Sequence, residues 1–130
     1  RPPCRAGAPA VNALALPAGA PALKARPMRI LFLGDVMGRS GRAAVIERLA
    51  ALRRDRRVDF AVVNAENASG GRGLTPDHAR ALLAAGADVL TLGDHAFDQK
   101  EMLSFIEGEP RVIRPLNYAR AAPGRGARLF

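Results

Sequence analysis

Three times between Met28 and Glu107 the chain repeats one arrangement: a short apolar run, a glycine or polar turn, and a segment with the spacing of an amphipathic helix. A strand period followed by a helix period, repeated in this way, leads to parallel strands joined by right-handed crossovers. The first run, residues 29–35, reads as a buried strand. It precedes a helix expected from about Ser40, a suitable N-cap, to Arg54, with Val45, Leu49 and Leu52 on one face. The second run covers residues 60–66. After it, Gly70-Gly71-Arg72-Gly73 forms a loop, and Thr75-Pro76-Asp77 supplies an N-cap with proline at the first helical position. That helix should turn Ala79, Leu82 and Leu83 inward and stop at Gly86. The third run, residues 88–95, leads to a helix from about Gln99 to Glu107 that should bury Met102, Leu103 and Ile106. A weaker fourth strand, Val112-Ile113-Arg114, enters a tail rich in proline and glycine. The expected fold class is α/β, a parallel β-sheet with flanking helices.

Composition agrees with that class. Hydrophobic residues make up 48% of the 130, aromatics only 5%, and there is no Trp, so the core must come from Ala, Val, Leu and Ile, as in a helix-covered parallel sheet. Residues 1–27 are rich in Ala, Pro and Arg and follow neither period; they read as a disordered extension, with the folded domain spanning residues 28–130. That extension carries Arg1, Arg5, Lys24 and Arg26 and no acid, half of the formal charge of +8. The densest basic run, Arg53-Arg54-Asp55-Arg56-Arg57, falls at the end of a predicted helix, where solvated cations compensate the helix dipole. RNA is therefore a partner the charge allows and does not favour. Cys4 stands alone, which excludes a disulfide framework and a thiolate metal cluster and fits a reducing cytoplasm. No apolar run approaches the roughly 18 residues of a membrane span, so no membrane partner is expected. The Ala-rich stretch over residues 8–22 is broken by Pro17 and Pro21 and makes a poor signal peptide.

In open α/β sheets, ligands gather outside the carboxyl ends of the strands, where loops from neighbouring strands converge. All three strong runs end in acids or metal-ligand types: Asp35, then Glu66-Asn67, then Asp94-His95. Singly, each has an ordinary explanation as a turn, a cap or a polar strand end. Together they sit 31 and 28 residues apart, one strand-helix unit each. Parallel neighbours lie roughly 4.8 Å apart, so the acids would share a narrow space and repel one another unless a cation balanced them. Oxygen donors with an imidazole suit Mn, Fe or Zn.

The motifs resemble a known family. Ile30-Leu31-Phe32-Leu33-Gly34-Asp35-Val36 with Gly38 and Gly41-Arg42, Asn64-Ala65-Glu66-Asn67-Ala68 with Gly70-Gly71 and Gly73-Leu74-Thr75, Thr91-Leu92-Gly93-Asp94-His95 with Phe97-Asp98, and Arg114-Pro115-Leu116-Asn117-Tyr118 before Pro123-Gly124-Arg125-Gly126 occur in the order found in YmdB-type metallophosphoesterases. That family includes bacterial 2′,3′-cyclic-nucleotide phosphodiesterases. The resemblance implies the N-terminal half of an αββα sandwich and a centre of two divalent metal ions, Fe, Mn or Zn. Its substrate would be a small nucleotide phosphodiester. Asp35 would bind the first metal, Glu66 would bridge the two, Asn67 would support the metal site or the substrate phosphate, and Asp94 would bind the second metal. His95 would be the catalytic proton donor.

Two departures accompany the resemblance. The family's Gly-Asn-His reads Gly93-Asp94-His95 here, which adds a negative charge beside an anionic substrate. The family also draws further metal-binding histidines from a C-terminal half, and His78, the one other histidine, lies on a helix face expected to meet solvent. The resemblance therefore implies an incomplete centre and a sheet with one apolar face left open. The competing readings are a non-catalytic nucleotide- or RNA-binding remnant that uses the glycine loop and arginines, and a fragment with no function of its own. The loop is not a P-loop, because no Gly-Lys-Ser/Thr follows it. The oligomeric state is left open, a homo-oligomer included.

Overall fold

The computed structural model describes residues 27–130. The expectations for the Ala/Pro/Arg-rich extension and for Cys4 fall on residues 1–26, outside the described residues.

Four parallel strands form one sheet in the order β1 (Ile30–Leu33), β2 (Phe60–Asn64), β3 (Val89–Thr91), β4 (Val112–Ile113). Spatial order equals sequence order. With right-handed crossovers, this places every connecting helix on the same face. The core shows that result: Val45 and Leu49 of α1 (Gly38–Arg56), Ala79, Leu82 and Leu83 of α2 (Pro76–Ala84), and Met102 and Ile106 of α3 (Met102–Gly108) join one cluster with Ala61, Val63, Leu90 and Val112 of the sheet. Leu31 and Leu33 pack at its margin. Leu49, Leu82, Leu90 and Met102 are fully buried, so truncating any of them to Ala should cost about 2–5 kcal/mol.

The opposite face is apolar too. Register places Ile30 beside Phe60, Phe32 beside Val62, and Val62 beside Val89. Ile30 and Phe32 are each 62% exposed, so β1 is not the buried strand its composition suggested. Its neighbours on one side are helices and on the other, solvent. The ring of Phe130 reaches this face and lies 5.7 Å from that of Phe60.

Local chemistry accounts for most element ends. Thr75 caps α2 through its side chain, which accepts from the His78 N–H, and Pro76 occupies the first turn, as expected. By contrast, α1 starts at Gly38 and not near Ser40; Met37 is its N-cap and no side chain caps it. The chain is already turned there by Gly38 at φ 53°, a conformation glycine adopts without a Cβ penalty. At the other end, Arg54, Arg56 and Arg57 are exposed as expected, but Arg53 is not a solvated cation. It pairs with Asp88 at 2.7 Å and donates to the Gly86 carbonyl, tying α1 to the strand that follows α2. The third helix is shorter than expected, because residues 94–101 are taken up by turns, and Leu103 faces outward.

After β4 the backbone folds around Arg114, whose buried guanidinium donates to the carbonyls of Pro115 at 3.0 Å and Pro123 at 3.1 Å. This wrap brings Tyr118 back towards β3. No helix among the described residues is long and apolar enough to cross a membrane.

Candidate active site

Gly34-Asp35 follow the first strand directly, and Asp35 takes the left-handed conformation at φ 48°. For a residue with a Cβ this costs roughly 1–2 kcal/mol, and Asp tolerates it better than most. The bend is held by the neighbouring strand end, since Val36 N–H donates to the Asn64 carbonyl at 3.0 Å and Gly38 N–H to the Asn67 carbonyl at 2.9 Å. The Asn67 amide in turn donates to Asp35 Oδ1 at 2.8 Å. This bond joins the ends of the first two strands.

Glu66 leans the other way, towards β3. A Cβ built on Gly93 would coincide with its carboxylate, so Glu66 fills the space that a side chain at position 93 would need. The carboxylate is on a half-buried residue and makes no hydrogen bond or ion pair with another described residue. Tyr118 fixes the far side of this contact by donating to the carbonyls of Gly93 at 3.1 Å and Asp94 at 3.0 Å, while its ring packs against Phe97 at 5.7 Å.

Beyond Gly93 the chain enters successive turns. Asp94 has 83% of its side chain exposed, and His95 retains 25%. His95 Nε2 lies 3.7 Å from Asp94 Oδ2, and Nδ1 lies 2.9 Å from Asp98 Oδ2. Arg72 of the glycine loop approaches the same Asp98 oxygen at 3.4 Å, and Gln99 donates to the Arg72 carbonyl at 2.8 Å.

The structure therefore brings the three strand ends side by side, with Asp35 bonded to Asn67 and Glu66 seated on Gly93. It does not draw the three carboxylates into one cage. Among the described residues no three His, Cys, Asp or Glu side chains gather to hold a metal ion. In kind, the donors fit a divalent cation: they are oxygens, and the Glu66 carboxylate is committed to no other described residue. In number, they make part of a coordination shell.

His78 remains partly exposed on its helix and is also tied inward: Nδ1 lies 2.7 Å from Ser69 Oγ, which accepts from the Thr75 N–H at 2.9 Å, so the histidine closes the base of the glycine loop. Burial, and secondarily the charge of Arg42, hold its pKa below the ordinary imidazole value, against the pull of Asp77. Sequence reasoning assigned no role to Asp98, Gln99 or Tyr118. The His-x-x-Asp spacing of His95 and Asp98 was the one local signal for any of them, because the reach of Tyr118 across 24 or 25 residues leaves no local trace.

The sequentially wound parallel sheet, with helices on one face and acids and an imidazole at its strand ends, is that of the metallophosphoesterase fold, as the match to a solved phosphatase shows. Solved structures agree. A phosphatase from Mycoplasma pneumoniae superposes with a TM-score of 0.73 at 36% identity over 79% of this chain and 38% of that one. A hypothetical protein from Thermus thermophilus superposes at 0.71 with 45% identity over 76% and 38%. The 2′,3′-cyclic-nucleotide 2′-phosphodiesterase of Bacillus subtilis (strain 168) is 42% identical over 99 residues. Residues 31–130 match the model of the YmdB-like proteins, and the chain belongs to that family. It spans 38% of the length of these relatives.

Proposed function

We propose that residues 28–130 are the N-terminal part of a metal-dependent phosphodiesterase that opens cyclic nucleotides, 2′,3′-cyclic or related diesters. The observation that carries this reading is the Glu66 carboxylate. It is unpartnered and half-buried, seated on Gly93 between the Asp35–Asn67 pair and the Asp94–His95 turn. The name of the Bacillus subtilis relative supports the substrate class.

Asp35 would hold one divalent ion, Asp94 a second, and Glu66 would bridge them, with Asn67 steadying Asp35; further ligands would come from the C-terminal half of the proposed domain. Two such ions, Fe, Mn or Zn, would supply positive charge for the phosphoryl oxygens and a water acidic enough to serve as nucleophile near neutral pH. The chain's own residues do the rest. Asn67 spends one amide N–H on Asp35 and keeps its carbonyl oxygen and second N–H for a metal or a phosphate oxygen. His95, one face open to solvent, gives its Nε2 proton to the departing alkoxide as the ring of the cyclic diester opens.

The test is hydrolysis of a 2′,3′-cyclic nucleotide by the full-length gene product, with and without chelator. Asp35→Ala and Glu66→Gln should each lower turnover by at least about a hundredfold while leaving the fold intact. Turnover that survives both substitutions would falsify the assignment.

A further inference from the structure

We propose that Arg72 is a specificity-determining residue: its guanidinium takes a phosphate carried on the 5′ oxygen of the cyclic nucleotide. The substrate class is then a 2′,3′-cyclic phosphate that bears a second phosphate, and not the bare nucleoside cyclic phosphate. The proposal rests on the reading of His95 as the proton donor and deepens it by naming the substrate.

The loop after β2 is firmly placed. Residues 69–73 close on themselves, with Arg72 N–H donating to the Ser69 carbonyl at 3.2 Å and Ser69 N–H to the Gly73 carbonyl at 2.9 Å. Gly70 and Gly71, at φ +66° and +86°, make the turn between them. The loop touches both walls of the candidate site. A Cβ on Gly71 would stand 3.5 Å from Met37 Sδ, in the bend after Asp35, and one on Gly73 would stand 2.9 Å from Gln99 Cγ and 3.1 Å from the His95 carbonyl oxygen. Gln99 also donates to the Arg72 carbonyl at 2.8 Å. The backbone of Arg72 is therefore anchored, and its side chain is the part that can reach a ligand.

That side chain is used unlike those of other arginines. Arg42, Arg53 and Arg114 spend their guanidinium groups on backbone carbonyls. The exposed Arg54, Arg56 and Arg57 lie at the opposite end of the sheet, where α1 leads into β2. Arg72 is 73% exposed, its Nε approaches Asp98 Oδ2 at 3.4 Å, and its two terminal nitrogens have no partner among the described residues. An exposed pair at that distance adds little to stability, so holding the turn does not account for a donor fork placed here.

Its position selects the ligand. Asp98 Oδ2 lies 2.9 Å from His95 Nδ1, so the guanidinium stands one side chain beyond the proposed proton donor. A proton donor faces the leaving oxygen, which in a 2′,3′-cyclic diester belongs to the ribose, and the rest of the nucleotide therefore extends on the His95 side. A second phosphate arriving there would meet the exposed acids Asp94 and Asp98 and be repelled. Arg72 supplies the compensating charge, in a planar fork that matches phosphate oxygens.

The experiment compares three substrates of the full-length gene product at low salt: adenosine 2′,3′-cyclic phosphate, its 5′-phosphorylated form, and a diadenosine dinucleotide ending in a 2′,3′-cyclic phosphate. Wild type should favour those with a second phosphate by about 5- to 30-fold in kcat/KM, mainly through KM, and the preference should shrink as ionic strength rises. Preference for the dinucleotide alone assigns the group to an RNA end, and preference for the 5′-monophosphate alone to a free nucleotide. Arg72→Gln should erase the preference while lowering kcat/KM on the bare cyclic phosphate by less than about threefold, and Arg72→Lys should keep part of it. Equal losses on all three substrates in Arg72→Gln would mean that the residue only holds the turn, and they overturn the proposal, as does a wild type without preference. If wild type hydrolyses none of the three, the functional reading fails. Calorimetric binding of adenosine 3′,5′-bisphosphate against adenosine 3′-monophosphate, compared between wild type and Arg72→Gln, then still decides whether Arg72 holds the second phosphate.

Discussion

The two faces of the sheet are built from similarly apolar residues and live in opposite environments. On one face Leu31, Leu33, Ala61, Val63, Leu90 and Val112 meet three helices; on the other, Ile30 and Phe32 meet solvent. The difference is one of winding and not of hydrophobicity. Because strand order follows chain order, each crossover returns on the same side, and these crossovers cannot cover the second face. Parallel sheets normally have both faces covered; here the second face is closed at Val89 and open at β1, where Ile30 and Phe32 form an apolar patch that contributes little to the stability of residues 27–130. Its aromatic and branched side chains are those of a core that these residues do not themselves complete.

Substitution can break that contrast. The largest effect is expected at Leu90→Ala on the covered face, a loss of about 2–5 kcal/mol in urea unfolding. A loss under about 1 kcal/mol would mean that the helices pack loosely. Gly93→Ala comes next, at about 1–3 kcal/mol, because the new methyl must push the Glu66 carboxylate from its seat; the same variant should lose activity, and a fully active protein would show that Glu66 has another place to go. Smaller again is the pH dependence set by His78. Its pKa is lowered in the folded state, so the unfolded chain binds the proton more readily. Stability from this group is complete above the ordinary value of 6.5 and is lost as pH falls from there through the folded-state value. Comparing urea midpoints at neutral and mildly acid pH should show part of the acid sensitivity disappearing in His78→Gln. Smallest is Phe32→Ser on the open face, within about 0.5 kcal/mol, accompanied by weaker binding of a hydrophobe-sensing dye. Destabilisation there as large as at Leu90 would mean the face is covered after all.

Much of the architecture was legible because periodicity and turn chemistry agree with each other. Thr75-Pro76 announces α2, and the inward positions Ala79, Leu82 and Leu83 follow from its spacing. Where the structure departs, a specific influence prevails over the local pattern. Gly38, turned left-handed, starts α1 ahead of the better capping residue Ser40, and turns from Asp94 onward shorten α3 and leave Leu103 outside. The candidate site was legible to the extent that topology alone gathers strand ends, which is why the segments that carry Asp35, Glu66-Asn67 and Asp94-His95 lie side by side. The details of the gathering were not. Nothing in the sequence says that Glu66 rests on the backbone of Gly93, that Tyr118 returns from beyond β4 to grip the same segment, or that Ser69 draws His78 inward. These are long-range contacts, and their partners carry no shared local pattern.

The left-handed backbone at Asp35 sets the fold and the chemistry at odds. Glycine would occupy that bend without steric penalty, so Asp35→Gly offers relief of roughly 1 kcal/mol, offset in part by the chain entropy glycine loses on folding and by the loss of the Asn67 contact. A screen for heat tolerance alone would tend to erase the acid, whereas a screen for turnover would retain it. Position 35 is thus a place where durability and usefulness select opposite residues.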